Sequence, residues 1–170
     1  MSQYRNHLRA CLTAIIALAA MQALAQANPT SSRGEYLARI MDCGGCHTPG
    51  ALIGKPDQAR NLAGSEIGFE IPNLGYFYPP NLTSDRQTGL GAWSEADIMR
   101  AVRTGVRPDG RVLAPVMPWH SYAVLTDADT QALARYLKSL PPIRHAVPPP
   151  GGPDETPSSP FLTVVAPKRS

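Results

Sequence analysis

The sequence predicts an all-α fold with three main helices joined by long loops. Three segments of the 170-residue chain place apolar residues three or four positions apart and begin at a polar capping residue, which is typical of amphipathic helices. No segment shows the sustained alternation of polar and apolar residues that a half-buried strand requires. The length favours one domain with room for a short appendage.

Residues 1–27 have the pattern of a secretory signal that is removed after export. Two arginines and a histidine make a basic start, and a short apolar core follows at residues 12–24. Small residues then fit a cleavage site after Ala25 or Ala27. Because the apolar core is too short to span a bilayer comfortably, we expect cleavage rather than an uncleaved membrane anchor.

Cleavage changes the charge and the thiol content of the chain. The precursor has a formal net charge of +3, and loss of the two signal arginines leaves 14 Lys and Arg against 13 Asp and Glu, a net charge of +1. Such a balanced chain offers no clustered basic face, so we expect no nucleic-acid partner. Cleavage also removes Cys11, which leaves Cys43 and Cys46 in an oxidising compartment.

The first predicted helix leads directly into this cysteine pair. Ser32 and Glu35 have the spacing of a capping box, and Leu37, Ile40 and Met41 follow at helical spacing. We therefore expect the cysteines to lie on a turn immediately after the helix.

Cys43, Cys46 and His47 form the C-x-x-C-H pattern of covalent haem attachment. On a tight helical turn, two thiols three positions apart can each bond one vinyl group of the porphyrin. The histidine that follows then lies beneath the iron as an axial ligand. Gly44 and Gly45 leave space for the edge of the haem. The pattern predicts one covalently attached haem c.

Two other kinds of site use closely spaced cysteines. A thioredoxin-like dithiol follows a strand in a βαβ unit, whereas a helix is predicted before Cys43. A tetrahedral zinc site needs four ligands, and no second cysteine pair remains after cleavage. Both sites fit less well than haem, and thiol-disulfide exchange by Cys43 and Cys46 stays as an alternative.

Residues 48–90 are rich in Gly, Pro and Asn and are predicted to form loops with at most a short helical turn. So long a loop in a compact domain needs a reason, and wrapping a large flat prosthetic group is one. We expect five aromatic residues to pack around the porphyrin: Tyr76, Phe77, Tyr78, Trp93 and Trp119.

The second and third main helices have clear start and stop signals. The second begins after Ser94 and ends at Gly105, and the third begins after Thr126 and ends before Pro141. Their apolar faces consist of Ile98, Ala101 and Val102 in the second helix, and of Leu133, Tyr136, Leu137 and Leu140 in the third.

Met117 lies between these two helices in a segment framed by prolines, which fix the backbone. A thioether held on this loop opposite His47 would complete a His/Met pair of iron ligands, which raises the reduction potential. Met41 and Met99 instead lie at apolar helical positions, where methionine fills gaps in a core. His120 is the main alternative to Met117 as the sixth ligand.

These features divide the chain into residues 1–27 as signal, 28–142 as a monohaem domain and 143–170 as a tail. The tail is rich in proline and has little apolar content, so it cannot bury enough surface to fold by itself. We expect it to be mobile.

The chain resembles the class I c-type cytochromes over residues 33–142. Within that class it is most similar to the haem modules in cytochrome subunits of bacterial membrane-bound alcohol, gluconate and sorbitol dehydrogenases. Three stretches carry the resemblance: CGGCHT at 43–48, NLTSD to GLGAWSEAD at 81–97, and RTGV through MP and LTDAD to YL at 103–137. The resemblance implies a class I cytochrome c fold, thioethers at Cys43 and Cys46, and iron ligation by His47 and Met117.

The expected function is one-electron transfer in the periplasm between a dehydrogenase and an oxidase or another cytochrome. We expect a carrier rather than an enzyme, because both axial positions of the iron are filled. The dehydrogenase subunits usually join three modules and end in a membrane-anchoring helix. One module and a polar tail are visible here, so we expect a carrier without a transmembrane anchor after cleavage. A haem enzyme or a sensor of peroxide or gases, with Met117 as a labile ligand, is the other alternative.

Overall fold

The computed structural model describes residues 29–167, which form five α-helices, two short 3-10 helices and a three-stranded sheet. The predicted signal, residues 1–27, lies outside the described residues. None of the helices within 29–167 is long and apolar enough to cross a membrane. The helices are α1 (Pro29–Ile40), α2 (Cys43–His47), α3 (Glu95–Thr104), α4 (Trp119–Tyr122) and α5 (Asp127–Ser139), and the 3-10 helices are Ala51–Ile53 and Gln58–Arg60.

The three long helices meet in one hydrophobic core. Leu37 of α1, Ile98 of α3 and Leu133 of α5 are almost fully buried there. Gly34 allows α1 and α5 to cross closely, because a Cβ at this position would lie 2.1 Å from the carbonyl oxygen of Ala132. The core therefore fixes the positions of the helices that precede and follow the loops of the candidate site.

Helices α3 and α5 begin and end as the sequence predicts. The Ser94 hydroxyl accepts a hydrogen bond from the Asp97 amide at 3.1 Å, and the Asp97 carboxylate accepts one from the Ser94 amide in return. Gly105 ends α3 in the left-handed conformation, with φ 72°. The Thr126 hydroxyl caps α5 in the same way, and α5 ends two residues before Pro141.

Helix α1 differs from its prediction in both position and exposure. It begins at Pro29, three residues before Ser32, because proline is well tolerated in the first turn of a helix. It ends at Ile40, which is 59% exposed rather than buried on the predicted face. Asp42 then takes a left-handed conformation with φ 52°, so α2 is a separate turn and not a continuation of α1.

The all-α prediction is wrong for part of the long loop. Strands β1 (Gly68–Ile71) and β2 (Gly75–Phe77) form an antiparallel hairpin, and β3 (Phe161–Leu162) pairs with β1 in parallel. These strands have two to four residues, too few to show an alternating pattern. The turn between β1 and β2 places Asn73 and Gly75 at positive φ.

The structure departs from the expectation of a mobile tail at residues 143–162, which make contacts with the rest of the fold. The amides of Tyr76 and Gly151 each donate to the carbonyl of the other, at 2.9 and 3.0 Å. The Tyr78 hydroxyl donates to the Ser159 carbonyl at 2.9 Å. Main-chain hydrogen bonds hold this segment against the hairpin. A prediction from low apolar content could not detect these bonds, because they do not depend on side chains. We call residues 143–162 the strap.

Candidate haem-binding site

His47 is buried, and its ring is oriented by one hydrogen bond. The side chain is at the end of α2 with 7% exposure, and Nδ1 lies 2.8 Å from the carbonyl oxygen of Pro80. A carbonyl only accepts, so Nδ1 carries the proton and Nε2 keeps its lone pair for a metal. Burial lowers the pKa of His47, and the bond to Pro80 opposes this shift only in part. The imidazole is therefore in the neutral form that binds iron.

Cys43 and Cys46 are free thiols on the same turn, and both border one cavity with His47. Burial raises the pKa of the Cys43 thiol to about 11, and burial also raises the pKa of Cys46. A thiol that acts in disulfide exchange has a lowered pKa instead. The pair therefore has the opposite character to a thioredoxin-like dithiol, which counts against that alternative.

The cavity has a volume of about 570 Å³ and mainly apolar walls. That volume lies within the range of sites that hold small ligands and cofactors, roughly 300–1,000 Å³. Core residues of α3 and α5, including Val102 and Leu137, form one wall. The loop before α3 and the hairpin form others, with Phe69, Phe77, Tyr78, Leu90 and Trp93.

Met117 borders the same cavity as His47 and the two cysteines. Its amide donates to the Ala114 carbonyl at 2.9 Å, and its carbonyl accepts from the Trp119 amide at 2.8 Å, so the backbone is held on both sides. Met41 also borders the cavity, but it lies two residues before Cys43, beside the turn that carries His47. Met117 is thus the methionine that a separate loop brings to the site.

The other candidate ligands lie elsewhere. Met99 packs against the core and does not border the cavity. The exposed His120 ring lies 3.4 Å from the Trp119 ring, centroid to centroid, and is also absent from the cavity wall. Among residues 29–167, no group of three or more His, Cys, Asp or Glu side chains is placed to hold a metal ion.

Three of the five aromatic residues that were expected around the porphyrin border the cavity, and two do not. Trp93, Phe77 and Tyr78 line the cavity, and the Arg107 guanidinium lies 5.2 Å from the centroid of the Trp93 ring. Trp119 packs on Gly105 instead, and Tyr76 lies edge-on to Phe161 with ring centroids 4.9 Å apart.

Sequence reasoning missed three parts of the site. Phe69 lies on the unpredicted hairpin, and the Pro80 carbonyl orients His47 across 33 positions of sequence. The strap contributes residues 147–150 to the cavity wall. A Pro79-Pro80 pair within a loop indicates a rigid segment, but nothing local indicates what its carbonyl contacts.

The sequence that forms this site matches a known protein family. Residues 31–141 match the family model for cytochrome c. The gluconate 2-dehydrogenase cytochrome c subunit of Pantoea cypripedii is 41% identical over 115 residues, which are 67% of this chain and 24% of that protein. The alcohol dehydrogenase (quinone) cytochrome c subunit of Gluconacetobacter polyoxogenes is 38% identical over 149 residues, 85% of this chain and 28% of that protein.

A third relative is the cytochrome subunit of another dehydrogenase. The fructose dehydrogenase cytochrome subunit of Gluconobacter japonicus is 36% identical over 117 residues, which cover 67% of this chain and 23% of that protein. The chain thus spans less than a third of the length of each of these curated relatives.

Proposed function

The chain belongs to the cytochrome c family, and on that premise we propose that it carries one electron at a time on a single haem c in the periplasm. Cys43 and Cys46 would attach the haem, and His47 and Met117 would hold its iron. One observation carries the proposal: both thiols, the oriented imidazole and the thioether border the same apolar cavity.

Each of these residues has a distinct task. Haem c, when bound, supplies an iron that changes oxidation state by one electron. The Pro80 carbonyl accepts a hydrogen bond from Nδ1 of the His47 ring, which leaves the lone pair of Nε2 for a metal. The apolar walls favour the reduced state, because the oxidised iron carries an additional positive charge that is costly to bury. A methionine ligand favours the reduced state further.

Two observations bear on the partners and the location. The relatives named above are cytochrome subunits of dehydrogenases, so we take a dehydrogenase as the electron donor and an oxidase or another cytochrome as the acceptor. The signal pattern of residues 1–27 supports the periplasm. If His47 and Met117 both held the iron, no position would be left for a substrate, and the protein would act as a carrier.

Rapid mixing with candidate donors tests this function. The oxidised protein is mixed with the catalytic subunits of membrane-bound alcohol or gluconate dehydrogenase, freed of their own cytochrome subunit, in the presence of substrate. We expect the haem absorbance to change to that of the reduced form, and only when substrate is present.

Two results would contradict the proposal. Failure of every such dehydrogenase to reduce a protein that dithionite reduces at once would exclude the dehydrogenase as donor. A fast spectral change on addition of peroxide or carbon monoxide at neutral pH would instead indicate a labile Met117 and an enzyme or sensor.

A further inference from the structure

Part of the strap borders the cavity that contains the candidate ligands. Val147, Pro148, Pro149 and Pro150 border this cavity together with Cys46 and His47. We propose that the strap is a fixed cover of the haem site that excludes water and small ligands, and that His145 is the positioning residue that fastens it. The cover deepens the proposed function and rests on it.

Two hydrogen bonds hold His145 at the start of the strap, and a carboxylate lies beside its ring. Its amide donates to the Thr88 hydroxyl at 3.1 Å, and Nδ1 lies 2.7 Å from the Ala63 carbonyl, which can only accept. Nε2 lies 2.9 Å from a carboxylate oxygen of Glu66. The side chain is only 14% exposed, so solvent competes little for these contacts. His145 therefore joins the strap to the loop that follows α2.

Asn81 ties the strap to the segment that orients the axial histidine. This side chain is 1% exposed, and its amide nitrogen donates to the Ile143 carbonyl at 2.7 Å. Its oxygen accepts from the Thr83 amide at 2.9 Å. Asn81 follows Pro80, whose carbonyl accepts from His47. The start of the strap and the His47 ring are thus held by two adjacent residues.

Two glycines make room for the strap at both ends of its cavity-lining part. A Cβ on Gly75 would lie 2.1 Å from the Gly151 carbonyl oxygen, and its three nearest atoms all belong to the strap. A Cβ on Gly64 would lie 2.5 Å from a methyl carbon of Val147. Because a Cβ at either position would collide with the strap, the strap packs directly against the backbone of these two glycines.

The chemistry of the cavity-lining part suits an apolar cover. Pro148, Pro149 and Pro150 have no amide hydrogen, so they place no unpaired donor against the cavity. The Val147 side chain adds an apolar surface. Because exclusion of water stabilises the uncharged state of a buried redox centre, the strap is expected to raise the reduction potential.

Hydrogen exchange of the holoprotein tests whether the strap is fixed. The Gly151 amide is hydrogen-bonded to the Tyr76 carbonyl, whereas the exposed Val164 and Val165 lie beyond the strap. We expect the Gly151 amide to exchange at least about tenfold more slowly than these two. Equal exchange of these amides in the holoprotein would overturn the proposal.

The variant Gly75→Ala tests whether the strap covers the site, with Gly54→Ala as the matched control. Both glycines have positive φ, but a Cβ on Gly54 meets nothing within 4 Å. Both variants therefore place a Cβ at positive φ, and only the Cβ of Gly75→Ala also collides with the strap. We expect Gly75→Ala to bind imidazole at the iron roughly tenfold faster, with a lower reduction potential, and Gly54→Ala to match the wild type.

A second pair of variants guards against misfolding of Gly75→Ala. His145→Ala removes the fastening side chain, and Arg144→Ala changes the exposed neighbouring residue. We expect faster exchange at Gly151 and faster imidazole binding in His145→Ala alone. If the strap amides of His145→Ala or Gly75→Ala exchange faster while imidazole binding and potential match the controls, the strap is not a cover. Absence of covalent haem in the wild type would instead overturn the proposed function.

Discussion

Met117→Ala is expected to abolish the weak sulfur-to-iron charge-transfer band at the red edge of the visible spectrum of the oxidised protein. It should also lower the reduction potential by about 0.1 V, within the roughly 0.8 V over which axial ligands tune haem proteins. The reason is that a thioether favours the reduced iron and its loss leaves one axial position open. The variant should therefore bind added imidazole or cyanide, as absorption spectra will show.

Two other methionines provide the controls. Met99→Leu changes a residue of the core, and Met41→Leu changes one that borders the cavity beside Cys43. Both substitutions nearly conserve volume, so both variants should keep the band. A band that persists in Met117→Ala would exclude Met117 as the ligand. If His120 were the ligand, the wild type would lack the band and His120→Ala would become high-spin.

Removal of the haem is expected to unfold most of the chain. At roughly 24 cal/mol per Å³, an empty apolar cavity of about 570 Å³ costs up to about 14 kcal/mol, the upper limit that a fully closed cavity would reach. Domains of this size have a total stability of about 5–15 kcal/mol, so the apo form has little or none left. Leu133 and Leu137 join α5 to the core and also border the cavity, so without haem they have no packing partner on the cavity side.

Circular dichroism of the haem-free variant Cys43→Ala/Cys46→Ala measures this effect against the holoprotein. We expect a large loss of helical signal and no cooperative thermal transition. Native-like helix content with a cooperative transition in the haem-free protein would show that the loops fold without the prosthetic group.

Local signals were sufficient where one residue determines one structural feature. Ser94 and Thr126 start their helices because each hydroxyl accepts a hydrogen bond from the amide three residues on, and Gly105 ends α3 because it adopts positive φ readily. The spacing of Cys43, Cys46 and His47 likewise needs only one helical turn. The sequence also identified Met117 as a residue that borders the cavity, from the prolines around it.

Features that depend on distant pairing could not be predicted in this way. Strand β3 pairs with β1 from about 90 positions away, and both are too short for a periodic signal. The amino-acid composition of the strap predicted mobility, because composition indicates only how much apolar surface a segment can bury. The strap is held instead by His145, Asn81 and main-chain hydrogen bonds, which composition does not report.

The intact mass of the exported protein in denaturing solution tests the central proposal most directly. The wild type should carry the added mass of one haem through denaturation, and Cys11→Ala should do the same because Cys11 lies in the signal segment. Cys43→Ala/Cys46→Ala should carry none. A wild type without the added mass, or a double variant that keeps haem through denaturation, would contradict covalent attachment at Cys43 and Cys46.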